Sequence, residues 1–325
     1  MRIESSSGSA PGRVVIAISI GLVIVIWSVN FVAAKIGLRS LPTLTMASFR
    51  VVFAGVVMIP AYLLCSRLGT FAESAETRRR GFTLRDLWIF LYLGFFGVAV
   101  NQFCFTAALR LTSVSHASVI VGMGPIYTLA LAVLLRLEKA TLRKATGMAI
   151  AFAGIAVMAS ENGLSAHSPS LLGDAITLAG SVGFAIYLVL GKQVAGKYDA
   201  LTMTAFSHFA GALIVLPLAI RQAAALGPVQ SWFAIPWSAW ASLSYMAIFS
   251  SAVAYILYYW LLRYLEASQL AAFSYLLPVL ATILGITWLG EKGSWGQVLG
   301  GLLAFGGVYW TESARTSAAR TTVAS

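Results

Sequence analysis

The chain has 325 residues, of which 59% are hydrophobic and only 10% are charged, and its mean hydropathy is +0.85. Soluble domains carry about 25% charged residues, so this composition excludes a soluble enzyme or binding module and predicts a multi-pass membrane protein. The net charge of +11 comes from basic residues scattered through the loops, a distribution that argues against a nucleic-acid partner.

Ten apolar segments follow one another along the chain, each near the length of about 20 residues that a membrane-spanning helix needs. Residues 1–13 and 312–325 form polar tails, and a polar linker at 161–171 separates the first five segments from the last five. The sequence therefore predicts an all-α integral membrane protein with ten transmembrane helices. In chain order these are 14–34, 44–65, 86–109, 115–135, 142–160, 172–192, 201–220, 237–262, 268–289 and 295–311.

The two halves of the chain share a residue pattern. Lys35 and Pro60 recur 157 positions later as Lys192 and Pro217, and further residues recur 153 positions later. Because five is odd, the second five-helix copy (172–311) enters the membrane from the side opposite to the first (14–160), which gives two inverted repeats. Inverted halves can close alternately on opposite sides of a shared site, as many transporters do. The pairs spaced by 153 include Arg110 and Arg263, Ser115 and Ser268, Pro125 and Pro278, Glu138 and Glu291, and Gly147 and Gly300.

Most Lys and Arg residues lie in loops on the side of the membrane that holds the N-terminus. Cytoplasmic loops carry an excess of these residues, so both termini are predicted to be cytoplasmic. Arg50 falls inside the second predicted helix and Lys192 ends the sixth. We expect both side chains to extend toward the membrane surface.

The sequence carries no pattern typical of an enzyme. All eleven Asp and Glu residues lie in loops or at helix ends, and no Ser/His/Asp grouping, HExxH motif or glycine-rich phosphate loop is visible. Cys65 and Cys104 lack metal-ligand spacing. We therefore expect no catalytic residue, metal or cofactor. His116 and His208 are the groups within the predicted spans that titrate near neutral pH, which makes them candidates for proton coupling, with packing as the alternative.

Two prolines interrupt helices at matching places in the two halves. Pro125 and Pro278 lie about ten residues into the fourth and ninth predicted helices, and Gly122 and Gly124 loosen the first of these breaks. Broken helices at corresponding positions indicate a binding site or hinge in a transporter. A simple packing kink is the alternative.

Polar and aromatic residues near the middle of the predicted spans are the candidates for solute contact. Unpaired amides and hydroxyls are costly in hydrocarbon, so these groups should face the bundle interior or a wet cavity. Interhelical hydrogen bonding is the alternative. An aromatic, charge-poor cavity suits an uncharged, zwitterionic or amphipathic solute better than a phosphorylated one. The candidates are Trp27, Asn30, Asn101, Gln102, Tyr187, Ser251, Tyr255, Tyr259 and Ser274.

The doubled pattern resembles a known family. The stretch 107–110 (AALR), followed by Ser115, Pro125, Glu138 and Gly147, is similar to one repeat of the EamA family, the bacterial branch of the drug/metabolite transporter superfamily. The stretch 260–263 (WLLR), followed by Ser268, Pro278, Glu291 and Gly300, is similar to the same part of a second repeat. The resemblance implies transport of small metabolites across the bacterial inner membrane through a central cavity lined by both halves. Within the family, the charge-poor aromatic interior is similar to that of YddG-type exporters of aromatic amino acids.

The sequence therefore predicts a secondary transporter that exports small metabolites, with aromatic or other apolar amino acids as the favoured solutes. Export would be facilitated or coupled through a histidine, because no carboxylate lies within the membrane. Other amphipathic metabolites or drugs are the alternative solutes. A membrane enzyme acting on lipid and a non-transporting partner or sensor are the alternative classes.

Overall fold

The computed structural model describes residues 11–68, 83–108, 111, 120–161, 171–195, 197–289 and 295–312. Within these ranges the chain is helical and contains no β-strand, which confirms the predicted all-α class. A short helix, Val229–Trp232, lies between the longer helices Ala200–Ala225 and Trp237–Leu262. The main helices are α1 (Arg13–Gly37), α2 (Thr43–Leu68), α3 (Leu84–Ala108), α4 (Ile120–Leu134), α5 (Leu142–Glu161), α6 (Leu171–Val194), α7 (Ala200–Ala225), α8 (Trp237–Leu262), α9 (Ala267–Ala272, Phe273–Tyr275 and Leu276–Leu289) and α10 (Trp295–Glu312).

Six of the described helices are long and apolar enough to cross a membrane: α1, α2, α3, α6, α7 and α8. Shorter apolar helices occur in α4 and α10. On α1, the large side chains of Val14, Ile18 and Leu22 are exposed whereas Ser28 is buried. This arrangement suits a bilayer, because lipid solvates apolar side chains while polar groups need partners inside the protein. The number of spans, ten, stays a prediction.

The two halves interlock in a symmetric way. Helix α1 packs against α8 and α9 of the second half, and its repeat counterpart α6 packs against α3 and α4 of the first. The second helices of the halves, α2 and α7, pack against each other, as do the last helices, α5 and α10. Each half therefore contributes helices to a common centre.

Helices α5 and α10 approach closely through glycines at repeat-related positions. A Cβ atom added to Gly307 would lie 2.5 Å from the carbonyl oxygen of Gly147, and one added to Gly154 would lie 2.6 Å from the nitrogen of Ala304. Backbones this close tolerate no side chain, as in other small-residue helix interfaces within membranes. This pair therefore joins the halves as a scaffold.

Helices α3 and α8 each contain a stretch of π-helix at repeat-related positions, Gly94–Val100 and Met246–Val253. A π turn widens the helix locally, and such turns often occur at functional sites. At Gly94, an added Cβ would lie 2.5 Å from the carbonyl oxygen of Ser207 on α7, so only glycine fits this crossing. The π stretches bring the next residues, Asn101 on α3 and Tyr255 on α8, to the centre of the bundle.

Candidate solute-binding cavity

A cavity of about 140 Å³ lies between the two halves. Its lining comes from α1, α2, α3 and α4 of the first half and from α6, α8 and α9 of the second. None of its described lining residues comes from the α5–α10 scaffold. The cavity is therefore a shared feature of both repeats.

Repeat-related residues face each other across this cavity. Trp27 on α1 and Phe184 on α6 are 157 positions apart, and Gln102 on α3 and Tyr255 on α8 are 153 positions apart. The same relation holds for three further pairs, so the lining follows the internal symmetry of the chain. These pairs are Phe31 and Leu188, Val121 and Ser274, and Gly124 and Leu277.

Six of the nine residues predicted to contact solute line the cavity. Ser251 lies directly behind the lining, where its hydroxyl donates to Oε1 of Gln102 at 3.1 Å. Tyr187 and Tyr259 are buried in the aromatic core, with the Tyr187 ring 5.6 Å from that of Tyr255 and 5.1 Å from that of Tyr259. Their role in solute binding stays a prediction. The six lining residues are Trp27, Asn30, Asn101, Gln102, Tyr255 and Ser274.

Aromatic rings form one wall of the cavity. The indole of Trp27 lies 5.9 Å from the ring of Phe184 and 5.8 Å from that of Tyr255, both edge to face. Its Nε1 donates to the carbonyl oxygen of Ser250 at 3.0 Å, which ties α1 to the π stretch of α8. Phe31 and Phe105 add a further edge-to-face pair at 5.6 Å. Such a wall presents flat apolar surface to a solute.

The expectation for Arg50 is wrong, because its side chain points inward. Arg50 is only 5% exposed and lines the cavity, with Nε donating to the hydroxyl of Ser251 at 3.1 Å and a terminal nitrogen donating to the hydroxyl of Ser250 at 3.2 Å. The π stretch of α8 presents both serine hydroxyls to α2, which gives the guanidinium polar partners that the membrane surface would otherwise supply. The cavity therefore contains a cation that the sequence pattern did not predict there.

A hydrogen-bond network runs from Arg50 through the bundle. Ser251 bonds Gln102, whose Nε2 lies 3.4 Å from Nε2 of His208. Nδ1 of His208 lies 2.9 Å from the carbonyl oxygen of Thr204, so this nitrogen donates and Nε2 accepts. His208 is fully buried behind the lining, with its ring 4.9 Å from that of Tyr255. Its role in proton coupling stays a prediction, and His116 lies outside the described residues.

Both helices that carry the predicted breaks are irregular. Helix α4 is interrupted at Met123, and Pro125 follows in the first turn after the break. In α9 a 3-10 turn, Phe273–Tyr275, precedes the piece that contains Pro278. Gly122 lies in the turn before the first break, and Gly124 lines the cavity. The irregular turns occur at repeat-related positions, while a hinge role for these residues stays a prediction.

Two spaces of unequal size share Trp27, Ser274 and Leu277 in their linings, and we call them the wide end and the narrow end of the cavity. The wide end is bordered by Phe105 of α3 and by Thr177, Gly180 and Ser181 of α6. Their repeat counterparts are Tyr258 of α8 and Ile20, Val23 and Ile24 of α1, which border a void of only about 10 Å³, room for about one water molecule. Repeat-related positions therefore border open space at the wide end but are packed together at the narrow end.

Polar contacts join the two halves at Ser268, two residues before Leu270 of the narrow end. Oε1 of Glu138, after α4, accepts from the backbone nitrogen of Ser268 at 3.1 Å, and the Ser268 hydroxyl donates to Oε2. Lys144 on α5 contacts Glu138 at 3.1 Å and also contacts Glu266. These four residues are called the cross-half clamp.

The expectation that Lys192 extends to the membrane surface is wrong. Its Nζ turns inward and donates to the carbonyl oxygens of Leu262 and Leu265, the latter at 2.6 Å. Arg263 donates from Nε to the carbonyl oxygen of Ala195 at 2.9 Å. Both bonds join the end of α6 to the end of α8, because the last carbonyls of a helix lack partners within it and attract cations. They lie on the same side of the bundle as the cross-half clamp.

The functional features that sequence reasoning missed are mostly apolar or charged. Phe31, Phe105 and Phe184 line the cavity, yet an aromatic residue within an apolar helix carries no sequence signal of its own. The repeat could have found Phe184, since its counterpart Trp27 was a candidate.

Within the described residues, no group of three His, Cys, Asp or Glu side chains could hold a metal.

Comparisons with known proteins agree with this architecture. The EamA-like transporter family matches residues 15–160 and 171–312. An uncharacterized transporter of Archaeoglobus fulgidus is 28% identical over 298 residues, which cover 90% of this chain and 95% of that protein. A protein of Streptantibioticus cattleyicolor named as a probable terminal-alkyne amino-acid exporter is 25% identical over 287 residues, covering 88% and 90%.

A solved crystal structure has the same fold, with a TM-score of 0.72 at 19% identity, and covers 93% of this chain and 98% of the other. The match of the family to both halves confirms the resemblance drawn from the sequence and indicates a transporter and not a membrane enzyme. The chain therefore belongs to the EamA-like transporter family and is a membrane transporter.

Proposed function

We propose that this protein exports small amphipathic metabolites, with aromatic or other apolar amino acids as its solutes, across the bacterial cytoplasmic membrane by alternating access. The observation that carries the proposal is the cavity whose lining residues are related in pairs by the inverted repeat. A site shared by two inverted halves can be reached from either side as the halves exchange conformations.

The difference between the two ends supports alternating access. Thr177 and Ser181 border space, while their counterparts Ile20 and Ile24 are packed against a void of about 10 Å³. If the halves exchanged conformations, the counterpart positions would separate and the wide end would close. We expect the cross-half clamp to break in that exchange, because the contact between Glu138 and Ser268 lies beside the narrow end, which would open.

The predicted topology assigns a direction to this state. With both termini cytoplasmic, Ile20 and Ile24 lie in the cytoplasmic half of α1, so the narrow end faces the cytoplasm. The wide end then faces outward, and the structure corresponds to the state from which a solute is released.

The composition of the cavity supports amino-acid solutes. Trp27, Phe184 and Tyr255 provide an aromatic wall, and Asn30, Asn101 and Gln102 provide amide groups near it. A pocket that is mostly apolar with a few convergent polar groups orients an amphipathic ligand. The relative named as an amino-acid exporter points to the same class of solute.

Counterflow in proteoliposomes tests the proposal. Vesicles loaded with unlabelled phenylalanine should accumulate labelled phenylalanine, and Tyr255→Ala should reduce the initial rate about tenfold, because it removes a ring of the cavity wall. Tyr309→Ala is the matched control, since Tyr309 is 74% exposed on α10. Equal loss in both variants, or no exchange of any amino acid, would contradict the proposal. Drugs and other amphipathic metabolites are the next solutes to test.

A further inference from the structure

We propose that the cavity recognises the zwitterion of an α-amino acid, with Arg50 binding the carboxylate and Asn30 accepting a hydrogen bond from the ammonium group. This inference rests on the proposed function and narrows it. It assigns the charged ends of the solute to two residues that line the same cavity, Arg50 on α2 and Asn30 on α1.

Arg50 is a buried cation without a buried anion. It is 5% exposed, and its hydrogen-bond partners are the neutral hydroxyls of Ser250 and Ser251. No carboxylate pairs with it in the part of the chain that the structure describes. A guanidinium taken out of water is stabilised most by an anion, and a planar carboxylate matches its donor geometry. Arg50 lines the cavity, where the carboxylate of a solute can pair with it.

Asn30 supplies an acceptor that nothing else in the described structure uses. Asn30 is 6% exposed, and its buried Oδ1 accepts no hydrogen bond within the described residues. The amide of Asn101 differs, because its Nδ2 donates to the carbonyl oxygen of Gly180 at 3.0 Å and its Oδ1 accepts from Tyr255. Gln102 is likewise engaged on both sides by Ser251 and His208.

A buried acceptor without a donor is unfavourable, and an ammonium group offers three N–H donors. Of the three cavity amides, that of Asn30 is therefore the one whose oxygen lacks a donor among the described residues, and rotation of this side chain would present the oxygen to an ammonium group in the cavity. It lies on α1, one turn from the aromatic wall that begins at Trp27.

The charge balance favours a monoanionic group over a phosphate. Arg50 carries the only formal charge among the described residues that line the cavity. A phosphate monoester brings nearly two negative charges and several acceptor oxygens, which one cation does not balance. A carboxylate brings one charge, and the ammonium of the same molecule leaves the solute neutral overall. The side chain of the amino acid would then pack against the aromatic wall.

Ligand binding to the purified protein in detergent tests this assignment without relying on transport. Thermal unfolding would be followed against concentration of phenylalanine, phenylalaninamide, 3-phenylpropionate and phenethylamine. We expect phenylalanine to bind the wild type at least about 30-fold more tightly than phenylalaninamide or phenethylamine, which lack the carboxylate, since leaving a buried charge unpaired is costly. Loss of the ammonium group in 3-phenylpropionate should cost about fivefold to tenfold, as one hydrogen bond is lost.

The variants locate the two contacts. Arg50→Gln should abolish the preference for phenylalanine over its amide, Arg50→Lys should keep part of it, and Asn30→Leu should abolish the preference for phenylalanine over 3-phenylpropionate. Arg221→Gln removes an exposed cation from α7, away from the cavity lining, and should change neither preference. The comparison of ligands on the wild type stands even where a variant fails to fold.

Two outcomes overturn the inference and are distinguishable from failure of the proposed function. Equal affinity of the wild type for phenylalanine and its amide, together with counterflow of both, would refute the role of Arg50 while amino-acid-like transport remained. An unchanged ligand preference in Arg50→Gln would refute it as well. If the wild type neither binds nor exchanges any of the four compounds, the inference and the amino-acid part of the proposed function both fail.

Discussion

The wide and narrow ends of the cavity occupy equivalent places in the two halves, yet they differ in side-chain size and polarity. Thr177, Gly180 and Ser181 border the wide end, whereas their counterparts on α1 are the bulky apolar Ile20, Val23 and Ile24. The repeat therefore preserves the backbone framework, including the broken helices and the π stretches, while side chains decide how tightly each end packs. Substitutions at three places in the molecule test this difference between the two ends.

The largest effect is expected from filling the wide end. Ser181→Ile gives α6 the residue that α1 has at the equivalent position, in a site where Ser181 is buried and bonded to the carbonyl oxygen of Thr177 at 3.0 Å. Added carbon atoms in a packed site cost about 1–3 kcal/mol and would occupy the path of the solute. We expect phenylalanine counterflow to fall at least about tenfold.

Ser238→Ile is the matched control, because Ser238 is exposed at the start of α8. It should leave the counterflow rate within about twofold, since surface substitutions have small effects. Undiminished counterflow in Ser181→Ile would show that the wide end is not on the solute path.

A moderate effect is expected from weakening the cross-half clamp at the narrow end. Glu138→Gln removes the charge that binds Lys144 and weakens the bond to Ser268, while Lys144 keeps Glu266 as a partner. The narrow end should lose about 1–2 kcal/mol of stabilisation, roughly tenfold in the balance between the two states. Fluorescent maleimide labelling of a cysteine at position 24 would report this as faster reaction.

The exposed neighbour Lys139 provides the control, since Lys139→Gln should leave labelling unchanged. Equal labelling of position 24 in the Glu138 variant and the parent protein would show that the clamp does not hold the narrow end.

The smallest effect is expected from a partly exposed ion pair between the turn after α6 and the start of α3. Lys197, in the turn between α6 and α7, contacts Oδ1 of Asp86 at 2.7 Å, but its side chain is 45% exposed. The hydrogen bond to Asp86 raises the pKa of Lys197 above its usual 10.5. Its stabilisation is therefore fully present at neutral pH and is lost only as the pH rises through that raised value.

Lys197→Ala should lower the free energy of unfolding by less than about 1 kcal/mol at pH 7, because exposed pairs are screened by water. Thermal unfolding at pH 7 measures this change. A loss of more than about 2 kcal/mol in the free energy of unfolding would contradict the view that this exposed ion pair contributes little.

The length of the apolar segments predicted the helical class and recurring residues predicted the repeat, while a third physical reason placed the three amides of the cavity. Amides and hydroxyls within an apolar helix need partners, so Asn30, Asn101 and Gln102 had to face inward. The inward position of Arg50 did not follow from this rule, because a long cationic side chain can equally reach the membrane surface. Only the serine hydroxyls of the α8 π stretch distinguish the two cases, and a π turn has no clear sequence signature.

For the tyrosines the sequence predicted more cavity contacts than the structure shows. Tyr187, Tyr255 and Tyr259 were all predicted to contact solute because they lie near the middle of predicted spans. Tyr255 lines the cavity, whereas Tyr187 and Tyr259 are buried behind it. Which face of a buried helix meets the cavity depends on its rotation against its neighbours, and a uniformly apolar helix does not encode this in its periodicity. The contact between Glu138 and Ser268 had a signal, since both residues belong to the repeat, but their pairing across the halves required the fold.

Reciprocal accessibility of the two cavity ends would test alternating access most directly. In a background with Cys65→Ala and Cys104→Ala, Phe105→Cys would report the wide end, where Phe105 is partly exposed, and Ile24→Cys would report the narrow end. Maleimide labelling would be measured with and without saturating phenylalanine. Without solute we expect fast labelling at position 105 and slow labelling at position 24, and phenylalanine should lower the first rate while raising the second. Rates that rise or fall together in a protein that still performs counterflow would contradict alternating access at this cavity.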